Sequence, residues 1–259
     1  MQTLPYPALF PTTPPRVDYL PGSTGVDFEF SFAFQPIVDA VRQEIISFEA
    51  LVRGPHGESS SAVFACVPPR SVHRFDQACR CKAIGLAARL NLRAGLNLNL
   101  FPNSSRHTRR NVRATLEASL QQGFPVERLV FEVSESERLH HYRRVGRSFE
   151  AFEQCGFRTA IDDFGAGLSG LQMLAEYQPN YLKLDRNLIA NVDQNPVKQI
   201  LVGGLIGMCR QLSIDPIAEG VEKAEEYHWL REAGIHFFQG FYFARPVFEA
   251  LSDVSPSLY

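Results

Sequence analysis

No apolar run in this chain reaches the roughly 18–20 positions that a membrane-spanning helix needs. The longest greasy segment, Ile200 to Met208, is broken by Gly203, Gly204 and Gly207, so no membrane insertion is expected. Cysteine is scarce. Cys66, Cys79, Cys81, Cys155 and Cys209 form an odd set without the spacing of a disulfide framework, which suits a reducing cytoplasm. His73, Cys79 and Cys81 do not make a zinc site, because Cys-x-Cys lacks a second matching pair and falls in a helical stretch. Dense basic runs are also missing: 26 Lys+Arg against 28 Asp+Glu leave a net charge of −2. Arg106, Arg109, Arg110 and Arg113 read as a solvated helix face, so duplex DNA or RNA is set aside as a partner. The N-terminus has neither a basic start nor a continuous apolar run, and a secretory leader is not expected. At 45% hydrophobic and 21% charged, the 259 residues can bury one large core, and that length suits a single α/β barrel.

Residues 1–27 carry Pro5, Pro7, Pro11, Pro14, Pro15 and Pro21, which disfavours both helix and central strand, so an extended tail is expected there and a barrel over 28–259. Strands are predicted at Ser31–Asp39, Glu44–Val52, Gly95–Phe101, Leu129–Ser134, Arg158–Phe164, Tyr181–Asp185, Asp215–Glu219 and His236–Phe243. Helices are predicted near Arg74–Asn91, Arg106–Gln122, His140–Cys155, Leu168–Tyr177, Asn195–Leu212 and Lys223–Ala233. That alternation implies parallel strands with crossover helices. Only residues 40–43 separate the first two strands, which allows a hairpin and so one antiparallel pair at the start.

Polar side chains collect where these strands end: Glu49, Asn97 and Asn99, Glu132, Asp162 and Asp163, Lys183 and Asp185, Glu219 and Gln239. The carboxyl ends of barrel strands form one face, where active sites draw on several strands at once. Five carboxylates in one mouth would repel unless cations neutralised them, and oxygen ligands without His or Cys favour Mg²⁺ or Mn²⁺ over zinc. Two such ions about 3.5–4 Å apart suit phosphodiester hydrolysis. Adjacent Asp162 and Asp163 can both face metal if the chain turns there. Lys183 could orient or deprotonate water, or simply neutralise the acids; chemistry alone leaves both open. Gly165-Ala166-Gly167-Leu168-Ser169-Gly170 imitates a dinucleotide fingerprint, with Asp185 twenty positions past Gly165. Asp162 and Asp163 would face the pyrophosphate without compensation, so these glycines are read as turns of a loop.

From about Phe32 to Pro246 the chain resembles the EAL-domain family of cyclic di-GMP phosphodiesterases. Glu49-Ala50-Leu51 is the naming tripeptide. Phe34 to Asp39, Phe48 to Arg53, Glu132 to Ser136, Ile161 to Gly167, Leu182 to Asp185, Ala218 to Glu222 and Gln239 to Phe241 fall in the family's order. The resemblance implies a TIM-like (β/α)8 barrel with an irregular antiparallel first strand, a homodimer, and conversion of cyclic di-GMP to 5′-pGpG. It implies Glu49, Asn99, Glu132 and Asp162 as ligands of one metal, and Asp162, Asp163 and Glu219 as ligands of the second. Lys183 would position or activate water, with Asp185 as helper and Gln239 as a polar contact to that water or to substrate; Gln35, Leu51 and Arg53 would bind substrate. Glu135 would hold the loop after the following strand, and Glu222 would support the metals. The chain departs from the family at Ser134, at Ala166, Leu168 and Gly170 in that loop, and at Lys223. The competing expectation is a catalytically slow cyclic di-GMP receptor, or a protein-interaction module, of the same fold, which leaves room for a regulatory protein partner.

Overall fold

The hairpin expected at the start is present: β1 (Ser31–Asp39) pairs antiparallel with β2 (Glu44–Arg53), with a register shift at Ile37/Val38. This computed structural model describes residues 28–100, 108–135, 149–167 and 170–259. The tail over 1–27, Arg106, the predicted helix from 140 to 148 and Leu168 lie outside those residues. After β2 come β3 (Gly95–Leu100), β4 (Leu129–Ser134), β5 (Arg158–Phe164), β6 (Tyr181–Leu184), β7 (Asp215–Glu219) and β8 (Phe237–Gln239). From β2 to β8 each strand runs parallel to the next. β1 closes the ring, antiparallel to both β2 and β8, so the result is a TIM-like barrel of eight strands with one reversed. A short β9 (Val247–Phe248) is added on β1.

The helices are α1 (Ser60–Ala65), α2 (Val72–Arg89), α3 (Thr108–Gln122), α4 (149–154), α5 (Gly170–Glu176), α6 (Arg186–Ile189), α7 (Pro196–Leu212) and α8 (Ala224–Glu232). α7 shows how locally the ends are written. The Asn195 side chain accepts from the amides of Val197 and Lys198, Pro196 follows at a position with no amide to satisfy, and Ser213 closes the helix at φ 59°.

Two expectations need correction. The predicted strand His236–Phe243 shrinks to Phe237–Gln239, because Phe243 N and Ala244 N both donate to Gly240 O and turn the chain. β6 stops at Leu184, because Asp185 leaves the strand to cap α6, its side chain accepting from Asn187 N at 2.8 Å.

The larger core fills the space between strands and helices, and Phe75, Phe131, Phe152 and Phe238 lie fully inside it. A second cluster, Ile37, Val130, Ala160, Tyr181 and Ile217, lies on the inward parity of the strands. Val130, Ala160, Tyr181 and Ile217 stand two residues before Glu132, Asp162, Lys183 and Glu219. Each strand therefore places an apolar side chain inside the barrel and a charged one a layer closer to its carboxyl end.

Candidate metal centre

At that end Lys183 is completely buried. Its Nζ stands 2.7 Å from Asp162 Oδ1, 3.0 Å from Glu49 Oε2, 3.3 Å from Glu132 Oε1 and 3.6 Å from Glu219 Oε2. Burial alone would drive the ammonium to release its proton, but these carboxylates outweigh it and hold the Lys183 pKa well above its ordinary value. The acids divide. Burial pushes Glu132 and Glu219 well above the usual carboxylate range. Glu49 is buried too, yet the Lys183 charge with hydrogen bonds from Gln239 and Asn99 brings it below that range.

The neighbours Asp162 and Asp163 converge by a backbone device. The β5–β6 register slips between Ile161 and Phe164, and Asp163 adopts φ 56°, a left-handed value that a non-glycine residue enters at some cost. The slip cancels the strand alternation that would send one aspartate outward. Carboxylate oxygens of Glu49, Glu132 and Asp162 consequently lie within 4.8 Å of one another, and so do those of Asp162, Asp163 and Glu219. Asp162 belongs to both groups. Burial, then the Asp162 charge, raises the Asp163 pKa. Asp162 Oδ1 and Glu219 Oε2 are buried without an aligned hydrogen bond and meet Lys183 only as charges. Under-satisfied oxygen ligands in two adjoining triads fit a pair of hard divalent cations.

Amides complete the floor. Asn99 Nδ2 donates to Glu49 Oε1 at 2.9 Å, whereas Asn97 Nδ2 donates to Glu132 Oε1 at 2.8 Å and is almost wholly buried. Both asparagines therefore touch the cluster, and each is tied to a different acid. Gln239 Nε2 bridges Glu49 Oε2 at 2.8 Å and Gln35 Oε1 at 3.2 Å, and Gln35 in turn donates to Ala244 O at 3.1 Å. At the rim Leu51 and Arg53 are half-buried, and Arg53 Nη1 rests on Val52 O at 2.8 Å.

Glu135 is nearly buried and gathers the loop after β5: Oε2 accepts from Gly165 N at 2.7 Å and Gly167 N at 3.1 Å, and Oε1 from Gly170 N at 2.7 Å. The amides that a dinucleotide phosphate would need are thus spent on a carboxylate. Gly170 has no room for a side chain, since a Cβ there would lie 2.4 Å from Phe164 Cε2. Asp185, though spent on its cap, stays near enough to raise Asp163. Glu222 meets the Arg186 guanidinium at 2.9 Å. Arg186 and Glu226, outside the residues that the sequence pattern singles out, organise the loop after β7. Their signals were modest: an Arg directly after Asp185, and a Glu at the third position of a helix.

Likeness to known proteins bears on this geometry. The model of the EAL domain matches residues 26–246. A standalone versatile EAL protein from Vibrio cholerae O395, solved with c-di-GMP bound, is 44% identical with a TM-score of 0.86, the match covering 90% of this chain and 98% of that one. The manganese and cyclic di-GMP complex of Klebsiella pneumoniae BlrP1 at pH 9.0 is 35% identical with a TM-score of 0.83, covering 91% of this chain and 59% of BlrP1. The blue light- and temperature-regulated antirepressor BluF of Escherichia coli K12 is 30% identical over 225 residues, 86% of this chain and 56% of BluF. The chain thus spans little more than half of BluF and BlrP1. Barrel, acidic mouth and a match over residues 26–246 agree, and the protein belongs to the EAL-domain family.

Proposed function

We propose that this protein hydrolyses cyclic di-GMP to linear 5′-pGpG in a reaction that depends on two divalent cations, Mg²⁺ or Mn²⁺. The observation that carries the reading is the pair of carboxylate triads joined at Asp162, with Lys183 buried between them. Glu49, Asn99, Glu132 and Asp162 would hold one ion, and Asp162, Asp163 and Glu219 the other. Bound there, the ions supply Lewis acidity and ease deprotonation of water. Lys183, kept protonated by its acids, directs N–H donors toward attacking water and toward charge building on phosphate. Gln239, already bridging Glu49 and Gln35, presents its amide to the same region. The Arg53 fork suits a phosphate or a guanine edge, with Gln35 and the Leu51 backbone beside it. Glu135 keeps the 165–170 loop in place, and Asp185 and Glu222 act from the flanks.

The V. cholerae and BlrP1 structures support the substrate, since both hold cyclic di-GMP and one holds manganese. A second reading, a slow receptor acting on a protein partner, is favoured by the likeness to an antirepressor. A homodimer fits α7, whose outer face leaves Val197, Ile200 and Leu201 exposed. No helix among the described residues is long and apolar enough to cross a membrane. Purified protein is incubated with cyclic di-GMP and Mg²⁺ or Mn²⁺, with and without EDTA, beside Glu49→Ala. Metal-dependent pGpG that the variant fails to make is the expected result. Tight binding without product would move the protein to the receptor class.

A further inference from the structure

Arg186 opens α6, one residue after Asp185, yet its guanidinium crosses to the exit of β7. Nη1 donates to Gly220 O and lies 3.5 Å from Glu226 Oε2, while Nη2 donates to Glu222 Oε2 at 2.9 Å. Gly220 directly follows Glu219 and has φ 73°; a Cβ there would stand 3.0 Å from Arg186 Cβ, so the loop packs on the Arg186 stem. Under the loop, Glu226 is fully buried. Its Oε2 accepts from Glu222 N at 3.1 Å and Lys223 N at 3.3 Å, and its Oε1 from Asn191 N at 2.9 Å. One guanidinium and one buried carboxylate therefore tie the backbone of 220–223 to the segment that leaves β6.

We infer that Arg186 is a positioning residue that sets where Glu219 stands relative to Asp162 and Asp163. The inference rests on reading the acidic cluster as a two-cation site. Glu219 belongs to only one of the two triads, so loosening its loop acts on one ion position and spares the other. The exposed pair with Glu222 contributes little by itself. Arg186 matters because its fork holds a backbone carbonyl and a buried acid at the same time, which a lysine cannot reproduce. Groups that hydrogen-bond a metal ligand typically change its affinity about 10–100-fold when lost, and Arg186, which acts through the backbone beside a ligand, should fall near the lower bound.

The test is Mn²⁺ binding to the full chain, followed by calorimetry and by electron paramagnetic resonance without substrate. Unmutated protein should take two ions. Arg186→Met keeps the stem against Gly220 and removes the fork; one ion should bind within about threefold of its normal affinity and the other about tenfold or more weaker. Arg186→Lys should recover only part of the loss. Val202→Ala, in the buried face of α7 and away from the loop, supplies a comparable drop in melting temperature and should keep both affinities. Should Arg186→Met fail to fold, Arg186→Lys carries the test alone: it should weaken the same ion by a smaller factor, and unchanged affinity for both ions in it overturns the inference. Equal binding of both ions by Arg186→Met, or loss of the second ion in Val202→Ala as well, overturns the inference. Unmutated protein that takes no ion at all overturns instead the reading on which it rests.

Discussion

Lys183→Met should abolish turnover and at the same time tighten metal binding. The ammonium lies 2.7–3.6 Å from one oxygen of each of four acids that would hold metal. A divalent ion held among those oxygens would stand on the order of 4 Å from Nζ, where unit charges repel by about 1 kcal/mol in water and about 4 kcal/mol at an effective dielectric of 20. Doubling for a divalent ion gives roughly 2–8 kcal/mol, of which Lys183 relieves a part by swinging on its flexible stem. If only about 1.4 kcal/mol remains, removing the charge still tightens metal binding tenfold. Without metal the variant should melt lower, since deleting one partner of a buried ion pair costs about 3–5 kcal/mol. The assay is Mn²⁺ titration by calorimetry, paired with melting curves in EDTA and in saturating Mn²⁺. Metal should raise the melting temperature more in Lys183→Met than in the unmutated protein, because ligand that binds only the folded state stabilises it in proportion to affinity. Unchanged or weaker affinity, with the metal-free form destabilised, would refute the idea that Lys183 and the ions compete for the same oxygens.

Acidification should weaken Mn²⁺ binding as Glu132 and Glu219, lifted by burial, regain protons that the metal must displace. The sign reverses for the metal-free fold: acids whose pKa is raised by folding favour the folded state below their unfolded values and lose that contribution as pH rises through the raised ones. Melting curves in EDTA should thus show Glu132→Gln with a flatter pH dependence than the unmutated protein; identical curves would count against a raised Glu132. Glu135→Ala strands the amides of Gly165, Gly167 and Gly170 and should cost about 3 kcal/mol in denaturant unfolding, with hydrogen exchange rising first in 165–170. Ile200→Asp, at a position 75% exposed, should leave the monomer fold intact by circular dichroism and shift sedimentation from dimer to monomer. A monomeric unmutated protein would remove the dimer.

How legible the molecule was in its sequence depended on the range of the interaction. β1, β4, β5 and β7 match their predicted limits, because alternation and flanking breakers are local. The end of β8 did not follow from local pattern: Phe241 and Phe243 extend the apolar run, and only the turn closed on Gly240 O ends the strand. β9 has no local signal, because two residues pairing with β1 from 213 and 215 positions away carry no periodicity. Within the site, parity placed Glu49, Glu132, Lys183 and Glu219 on one face, but it could not place Asp163, whose inward aim comes from a register slip. Nor could it place Arg186, which acts across two strand exits.

The reversed first strand has a mechanical consequence. Ser31 pairs with Arg53, so the chain enters the barrel at the rim that carries the acidic mouth and leaves β1 at the opposite end. In an all-parallel barrel the first strand would begin about 30 Å away, the length of nine extended residues. A pull along the backbone into Ser31 would therefore act first beside Arg53, four residues before Gln35, at the rim where both would meet the nucleotide. Reversing a single strand brings the point of entry of this domain to its own mouth.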